Sequence, residues 1–226
     1  MNIKIYAKNK EKIPCLKNKI LKINSKTKFT NKPDVVICFG GDGTLLHAER
    51  LHEGVPKLVI KDGSICKTCN TGNLGAILKK FFKGEYIIKT EPKLEAKTKN
   101  QTLIATNDVV IRNADQHHAI RFEIKTNNKT AKAIGDGVVI STAFGSTAYY
   151  NSITRTTFKE GIGIAFNNTT EEIKPINTKN KITFVLKRNK AYITSDNKSK
   201  KITLSEGDAV VVQRSKQTIK IIQIKK

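Results

Sequence analysis

Apolar positions along the chain follow two different periods. Up to about residue 90, short apolar runs alternate with stretches of helical spacing. Ile3 to Ala7 reads as a strand. Ile13, Leu16, Ile20 and Leu21 then recur at i, i+3, i+7 and i+8, one stripe of a helix with Pro14 in its first turn. Val35-Val36-Ile37-Cys38-Phe39 is unbroken, as in a strand covered on both faces. Thr44 to His52 reads as a helix and Leu58 to Ile60 as a strand. Leu74, Ile77, Leu78 and Phe81 mark another helix, ending near Gly84. Strand and helix alternating in this way predict an open parallel sheet.

After Pro92 the period shortens to two. Leu94, Ala96 and Thr98 alternate with charged residues. Leu103 to Arg112, Ile120 to Lys125, Ala131 to Ile134 and Val138 to Ser141 read as strands. So do Ile182 to Leu186, Ala191 to Thr194, Ile202 to Leu204, Ala209 to Gln213 and Ile219 to Ile224. Turn signals fall at Asn127-Asn128, Asn189, Asp196-Asn197 and Gly207. The expectation is an α/β domain over residues 1–92, which the segment 215–226 can complete, and a mostly-β domain over 93–214.

Composition narrows the class. Hydrophobic residues are 38% of the 226, enough for a buried core. No run approaches the roughly 18–20 apolar residues of a membrane span. The opening MNIKIYAKNK lacks the apolar core of a secretory signal. Together with four cysteines, too few to staple the chain, this leads us to expect a cytoplasmic protein without membrane partners. The net charge of +23 comes mostly from scattered lysines. No run reaches the five or six like charges, roughly, of a binding tail. A solvated lysine coat is therefore expected rather than a nucleic-acid face. Its field still favours polyanions, nucleotides among them.

Four segments carry candidate chemistry. Gly40-Gly41-Asp42-Gly43-Thr44 joins a buried strand to a helix. Its glycines let the main chain approach an anion, and Asp42 suits a base or metal-linked carboxylate beside phosphates better than a phosphate ligand. A tight turn with an Asp cap is the plainer alternative. Asn70-Thr71-Gly72-Asn73-Leu74-Gly75 reads as a capped helix start. Asn107-Asp108 interrupts an apolar strand. It is either a polar pair aimed at sugar hydroxyls or a base edge, or a bulge or strand end. From Gly135-Asp136-Gly137 to Ser152 a strand runs into small hydroxyl residues and a short helix from Ser146. Tyr149 or Tyr150 there can pack on a ring.

In this order the segments resemble the NAD kinase family, across roughly residues 34 to 215. That family carries Gly-Gly-Asp-Gly-Thr, Asn-x-Gly-x-Leu-Gly, an Asn-Glu pair, and Asp-Gly leading to Ser-Thr-Pro-Thr-Gly-Ser-Thr-Ala-Tyr. The resemblance implies an α/β nucleotide-binding domain followed by a β-sandwich-like domain. It implies phosphorylation of NAD at the adenosine ribose 2′-hydroxyl by ATP, with Mg²⁺ and Asp42 as general base. Gly40, Gly41, Gly43 and Thr44 would hold the ATP phosphates. Asn107 and Asp108 would contact the adenosine, Asp108 standing where the family has Glu. Asp136 and Ser152 would lie near the nicotinamide riboside, and Thr147, Ala148 and Tyr149 would line the ring pockets. A homodimer or homotetramer is implied.

The chain departs from the family at Ala143, in place of Pro, and at Phe144, in place of a small hydroxyl residue. A lipid or sugar kinase sharing Gly-Gly-Asp-Gly, or a catalytically silent dinucleotide-binding protein, are the rival readings. Acceptor redox state, and ATP against polyphosphate as donor, stay open. Cys66-x-x-Cys69 is half a zinc site at most; two structural thiols is the plainer expectation, with redox the third choice.

Overall fold

The computed structural model describes residues 1–62, 68–127, 129–196 and 198–225. The chain divides into two compact units, Met1–Glu91 with Thr218–Lys226, and Pro92–Gln217.

The first unit runs β1 (Asn2–Ala7), α1 (Lys12–Ile23), β2 (Lys28–Phe29), β3 (Val35–Gly40), α2 (Asp42–Leu51), β4 (Lys57–Lys61) and α3 (Leu74–Phe82). β2 pairs with β1, β1 with β3 and β3 with β4, all parallel. Ile221 and Ile222 pair parallel on β4. Parallel neighbours need a crossover between them, and α1 and α2 supply it. Ile3, Ile37 and Leu58 from the strands meet Leu16, Ile20 and Phe81 from the helices in one core. α2 starts at Asp42 rather than at Thr44, immediately beyond β3, with Gly41 as an extended N-cap. A Cβ on Gly40 would crowd the Thr44 side chain, so glycine eases the close passage of the strand into the helix. At the other end of α2, Glu49 and Lys57 form a buried ion pair. Lys57 Nζ also donates to His52 O at 2.6 Å. That pair fixes the far end of the helix to β4.

The second unit is almost entirely β. β5 (Tyr86–Lys97) begins in the first unit and ends here, with Pro92 inside it. Then follow β6 (Thr102–Ala105), β7 (Asp108–Asn113), β8 (Ile120–Thr126) and β9 (Lys129–Thr142). A 3₁₀ turn, Gly145–Thr147, leads into α4 (Tyr149–Thr154). The remaining strands are β10 (Ile162–Thr169), β11 (Ile176–Thr178), β12 (Ile182–Arg188), β13 (Ala191–Ser195), β14 (Ile202–Leu204) and β15 (Ala209–Ile224). The antiparallel order is β14-β13-β7-β9-β8-β12-β15, with β10 also paired to β9. Val109, Ile111, Val138, Ile140, Ile164 and Phe184 are among the side chains of its common core. The opposite face of β7 and β9 carries Val110 and Val139, covered by Tyr150 of α4. An α/β unit and a β unit are the fold class the sequence periods imply.

Four further local readings change. The Leu103–Arg112 run is two strands, broken at Thr106-Asn107. The two runs on either side of Gly135 and Gly137 are one strand, β9. Ala209–Gln213 and Ile219–Ile224 likewise merge into β15. β10 and β11 had no counterpart in the sequence reading. Turn residues Asn128 and Asn197, and Cys66, lie outside the described residues.

Candidate active site

In the first unit, Asp42 is the opening residue of α2, directly after Gly40 and Gly41. Thr68 Oγ1 donates to Asp42 Oδ1 at 2.6 Å, which fixes how the carboxylate stands. Gly43 and Thr44 follow in the first turn. A Cβ on Gly43 would meet nothing within 4 Å, so the backbone there is open to an approaching group. The Asn70–Gly75 segment is structural in its local contacts. Asn70 Nδ2 donates to Val59 O and Ile222 O at 3.0 and 2.9 Å, and Ile224 N–H donates to Asn70 Oδ1 at 2.8 Å. Asn73 Oδ1 caps α3 by accepting from Ala76 N–H at 3.2 Å. Cys69 lies just before this clasp. Among the described residues no three His, Cys, Asp or Glu side chains gather to hold a metal.

In the second unit, the β6–β7 break forms a fastened turn. The N–H groups of Thr106, Asn107 and Asp108 donate to the Asp196 carboxylate, at 3.0, 2.7 and 3.4 Å. Asp196 N–H donates in return to Asp108 O at 2.8 Å. On the other side, Thr142 N–H donates to Asn107 O at 2.9 Å, and the Thr142 hydroxyl donates to Thr106 O at 2.8 Å. Gly145 N–H donates to that same hydroxyl at 2.8 Å. Any Cβ on Gly145 would run into the Asn107 backbone. The Thr142–Ser146 loop is therefore pressed against the turn, and glycine is required at the contact.

This arrangement uses up the backbone of Asn107 while its side chain stays partly exposed. Asp108 begins β7 on the same face as Val110 and is buried to 6% relative exposure. Burial pushes its carboxyl up to about 7, and the nearby Asp196 carboxylate adds to the rise. Phe144 and Thr147 flank the loop, both half-buried, and Ala148 is exposed. Tyr149 packs beside Val110 and Tyr150 at the start of α4. Ser152 Oγ, one turn further on, donates to Tyr149 O at 2.7 Å.

Asp136 stands apart from this group. Ser141 pairs with Asp108, but Gly137 pairs with Arg112 at the other end of β7. Five residues of strand therefore separate Asp136 from Ser141, about 17 Å at the usual rise. There its carboxylate accepts from Asn168 Nδ2 at 3.1 Å. Within one chain, Asn107, Asp108, Thr147, Ala148 and Tyr149 belong to one end of the β7–β9 pair and Asp136 to the other. Asp196 was legible in the sequence as a turn and in the family-like tail segment Ser195-Asp196, but not as the residue that fastens the Asn107 turn, since Asp at a turn is ordinary.

A family model described as the ATP-NAD kinase C-terminal domain matches residues 106–224. An NAD kinase of Sulfurisphaera tokodaii is 36% identical over 178 residues, 74% of this chain and 70% of that one. An NAD kinase of Caldanaerobacter subterraneus is 35% identical over 129 residues, 53% of this chain and 46% of that one. Among solved structures, an NAD kinase from Archaeoglobus fulgidus in complex with ATP matches with a TM-score of 0.83 at 17% identity, covering 100% of this chain and 94% of that one. Yeast NADH kinase complexed with NADH gives 0.77 at 16% identity, covering 98% and 83%. At such identities the structural likeness speaks for the fold.

The Asp108 environment makes a test by pH. In the unfolded chain an Asp loses its proton near pH 3.9, roughly. In the folded chain Asp108 keeps it up to about 7. Between these values the folded state holds more protons, so this group's effect lowers stability as pH rises through that window and levels off above it. Asp108→Asn removes that slope. Urea titrations should find the variant more stable than the parent at pH 8, by about 1–3 kcal/mol, with the gap closing towards pH 4. Parallel pH dependences in variant and parent would show that Asp108 does not titrate in this range.

Proposed function

The chain belongs to the NAD kinase family and is an enzyme that phosphorylates NAD, and we propose that the phosphoryl group passes from ATP to the adenosine ribose 2′-hydroxyl with Asp42 as the general base. Asp42 takes the hydroxyl proton as the O2′–Pγ bond forms. The bond from Pγ to the β-phosphate oxygen breaks, and ADP leaves with the electron pair. The observation that carries this reading is the carboxylate of Asp42 set at the mouth of a glycine turn and oriented by Thr68. A ribose hydroxyl is a weak nucleophile, so a positioned proton acceptor is what the reaction lacks without protein. Gly40, Gly41, Gly43 and Thr44 hold the donor phosphates.

The residues suit a divalent cation that travels with the nucleotide. No ready-made metal cage occurs among the described residues, and Mg²⁺ is commonly held by substrate phosphates, waters and one or two carboxylates. Asp42 is the carboxylate at the turn. Such a cation would neutralise the phosphate charge as it redistributes.

Asn107 and Asp108 hold the adenosine, and Thr147, Ala148 and Tyr149 line the ring pockets. Ser152 lies towards the nicotinamide riboside. The separation of Asp136 from Asn107 along β9 supports a homodimer or homotetramer in which Asp136 serves the site of a second copy. Nothing in this reading needs a membrane or a nucleic acid, and a cytoplasmic enzyme fits it.

Asp42→Asn keeps size and hydrogen bonding but accepts no proton. NAD should still bind to that variant while kcat falls by about 10²- to 10⁴-fold. Asn107→Ala should raise KM for NAD more than it lowers kcat, because it removes a contact made before and during the reaction. Turnover of Asp42→Asn within a few-fold of the parent would exclude Asp42 as base. The second-copy role of Asp136 has its own check. Asp42→Asn and Asp136→Ala chains, each inactive alone, should regain activity when mixed and reassembled. Mixtures no more active than their components would place Asp136 outside a partner's site.

A further inference from the structure

The segment from Ser141 to Ser152 is rich in hydroxyls, yet it turns them inward. Ser141, Thr142, Ser146 and Ser152 donate to the carbonyls of Thr142, Thr106, Ala143 and Tyr149, at 3.0, 2.8, 2.8 and 2.7 Å. The first three are also buried. Thr147 has a partner of its own. A hydroxyl has one hydrogen, so those four have none left to donate to a ligand.

The aromatic side chains of the same stretch divide differently. Tyr149 and Phe158 pack against the cluster of Val110, Val139 and Tyr150, and the Tyr150 and Phe158 rings meet edge to face at 5.0 Å. Phe144 is half-buried but belongs neither to that cluster nor to the main β core. Among the described residues no second ring and no cation sits on it. Its backbone is fixed, because Phe144 opens the 3₁₀ turn and the next residue, Gly145, abuts the Asn107 backbone. Asn107 is held in turn through its own N–H and carbonyl, while its side-chain amide makes no hydrogen bond among the described residues. An unpaired ring and an uncommitted amide thus belong to two backbone segments in contact.

We propose that Phe144 holds the base of the acceptor dinucleotide by stacking, that the Asn107 amide meets the edge of that base, and that the site therefore takes hypoxanthine nearly as well as adenine. This deepens the NAD kinase reading and rests on it for the reaction. Every base has a π-face, so stacking on an aromatic ring tolerates a change of base. An amide carries a donor and an acceptor side by side. In one orientation it complements adenine, whose amino group donates and whose N1 accepts. Turned over, it complements hypoxanthine, whose O6 accepts and whose N1–H donates. A site that reads a group through fixed hydrogen bonds rejects the wrong partner by about 10⁴- to 10⁵-fold, whereas an apolar pocket rejects a near-isostere poorly. Phe144 stands where the resembled family carries a small hydroxyl residue. That exchange removes one fixed hydroxyl and supplies the ring.

NAD and nicotinamide hypoxanthine dinucleotide, each titrated calorimetrically into the full chain and each assayed with MgATP, read the site. The parent should bind the two within about fivefold of each other and phosphorylate them with kcat/KM within about tenfold. This comparison needs no variant. Phe144→Ser should raise Kd and KM for both dinucleotides by about tenfold or more, the size of a lost base stack, with kcat changed less. Phe144→Tyr, which keeps a ring, should recover most of that loss. Discrimination against the hypoxanthine dinucleotide by more than about 100-fold in the parent would overturn the proposal. So would Phe144→Ser binding NAD within about twofold of the parent. NAD phosphorylated alongside either result leaves the reaction reading intact. Similar binding of both dinucleotides, lost in Phe144→Ser but giving no phosphorylated product in the parent, would contradict the reaction reading and leave the stacking assignment standing.

Discussion

The carboxylate of Asp196 accepts hydrogen bonds from three consecutive backbone N–H groups, and the candidate site residues of the second unit depend on that contact. An ionised acceptor makes such bonds stronger than neutral pairs. Three of them fix the turn at Thr106–Asp108 from one side. Thr142 fixes it from the other, and Gly145 seals the contact by having no side chain. With its backbone fully engaged, Asn107 presents its amide from a turn that has little freedom to move. A group held this way can meet a substrate without first losing conformational entropy. The same negative charge helps keep the Asp108 proton in place up to about pH 7, so the anchor of the turn also shapes the chemistry of the residue beside it.

The first unit, taken by itself, reaches a comparable rigidity by other means. The buried strand β3 ends at Gly40, and α2 begins two residues later. Ligands of open α/β sheets gather at the carboxyl ends of the strands, which is where this turn sits. Close packing at Gly40 holds the near end of α2, and the buried Glu49–Lys57 pair holds the far end. Removing either partner of a buried pair leaves an uncompensated charge, which is why such pairs fix geometry even where they add little net stability. Asp42, between these two fixtures and oriented by Thr68, has a defined direction.

Much of this could be read from residue order, and the exceptions share a cause. The helices and buried strands of the first unit announced themselves by period. The glycine turn and the Ser141–Tyr149 segment announced themselves by composition, and they carried the family resemblance. Asn107-Asp108 was legible as an interruption, but not as the end of one strand and the start of another. The residue that makes it a turn, Asp196, lies 89 positions away. Gly135 and Gly137 read as a break in β9. In fact glycine is what the strand needs there, since a Cβ would strike Asn168 and Thr169 at one position and the Ile111 backbone at the other. β10 escaped notice because Gly161, Gly163 and Asn167-Asn168 dilute its apolar run. The separation of Asp136 from Asn107 is a matter of strand register, a tertiary fact with no local signature.

The proposed reaction is a single chemical event, the transfer of one phosphoryl group from ATP to the ribose 2′-oxygen of NAD. Phosphorus NMR of the purified chain with NAD and MgATP observes that event directly. The expected result is a new phosphomonoester resonance from the 2′-phosphate, growing in equal amount with ADP while the pyrophosphate signal of the dinucleotide persists. ATP consumed without that resonance, or a resonance from a phosphate at any other hydroxyl, would contradict it.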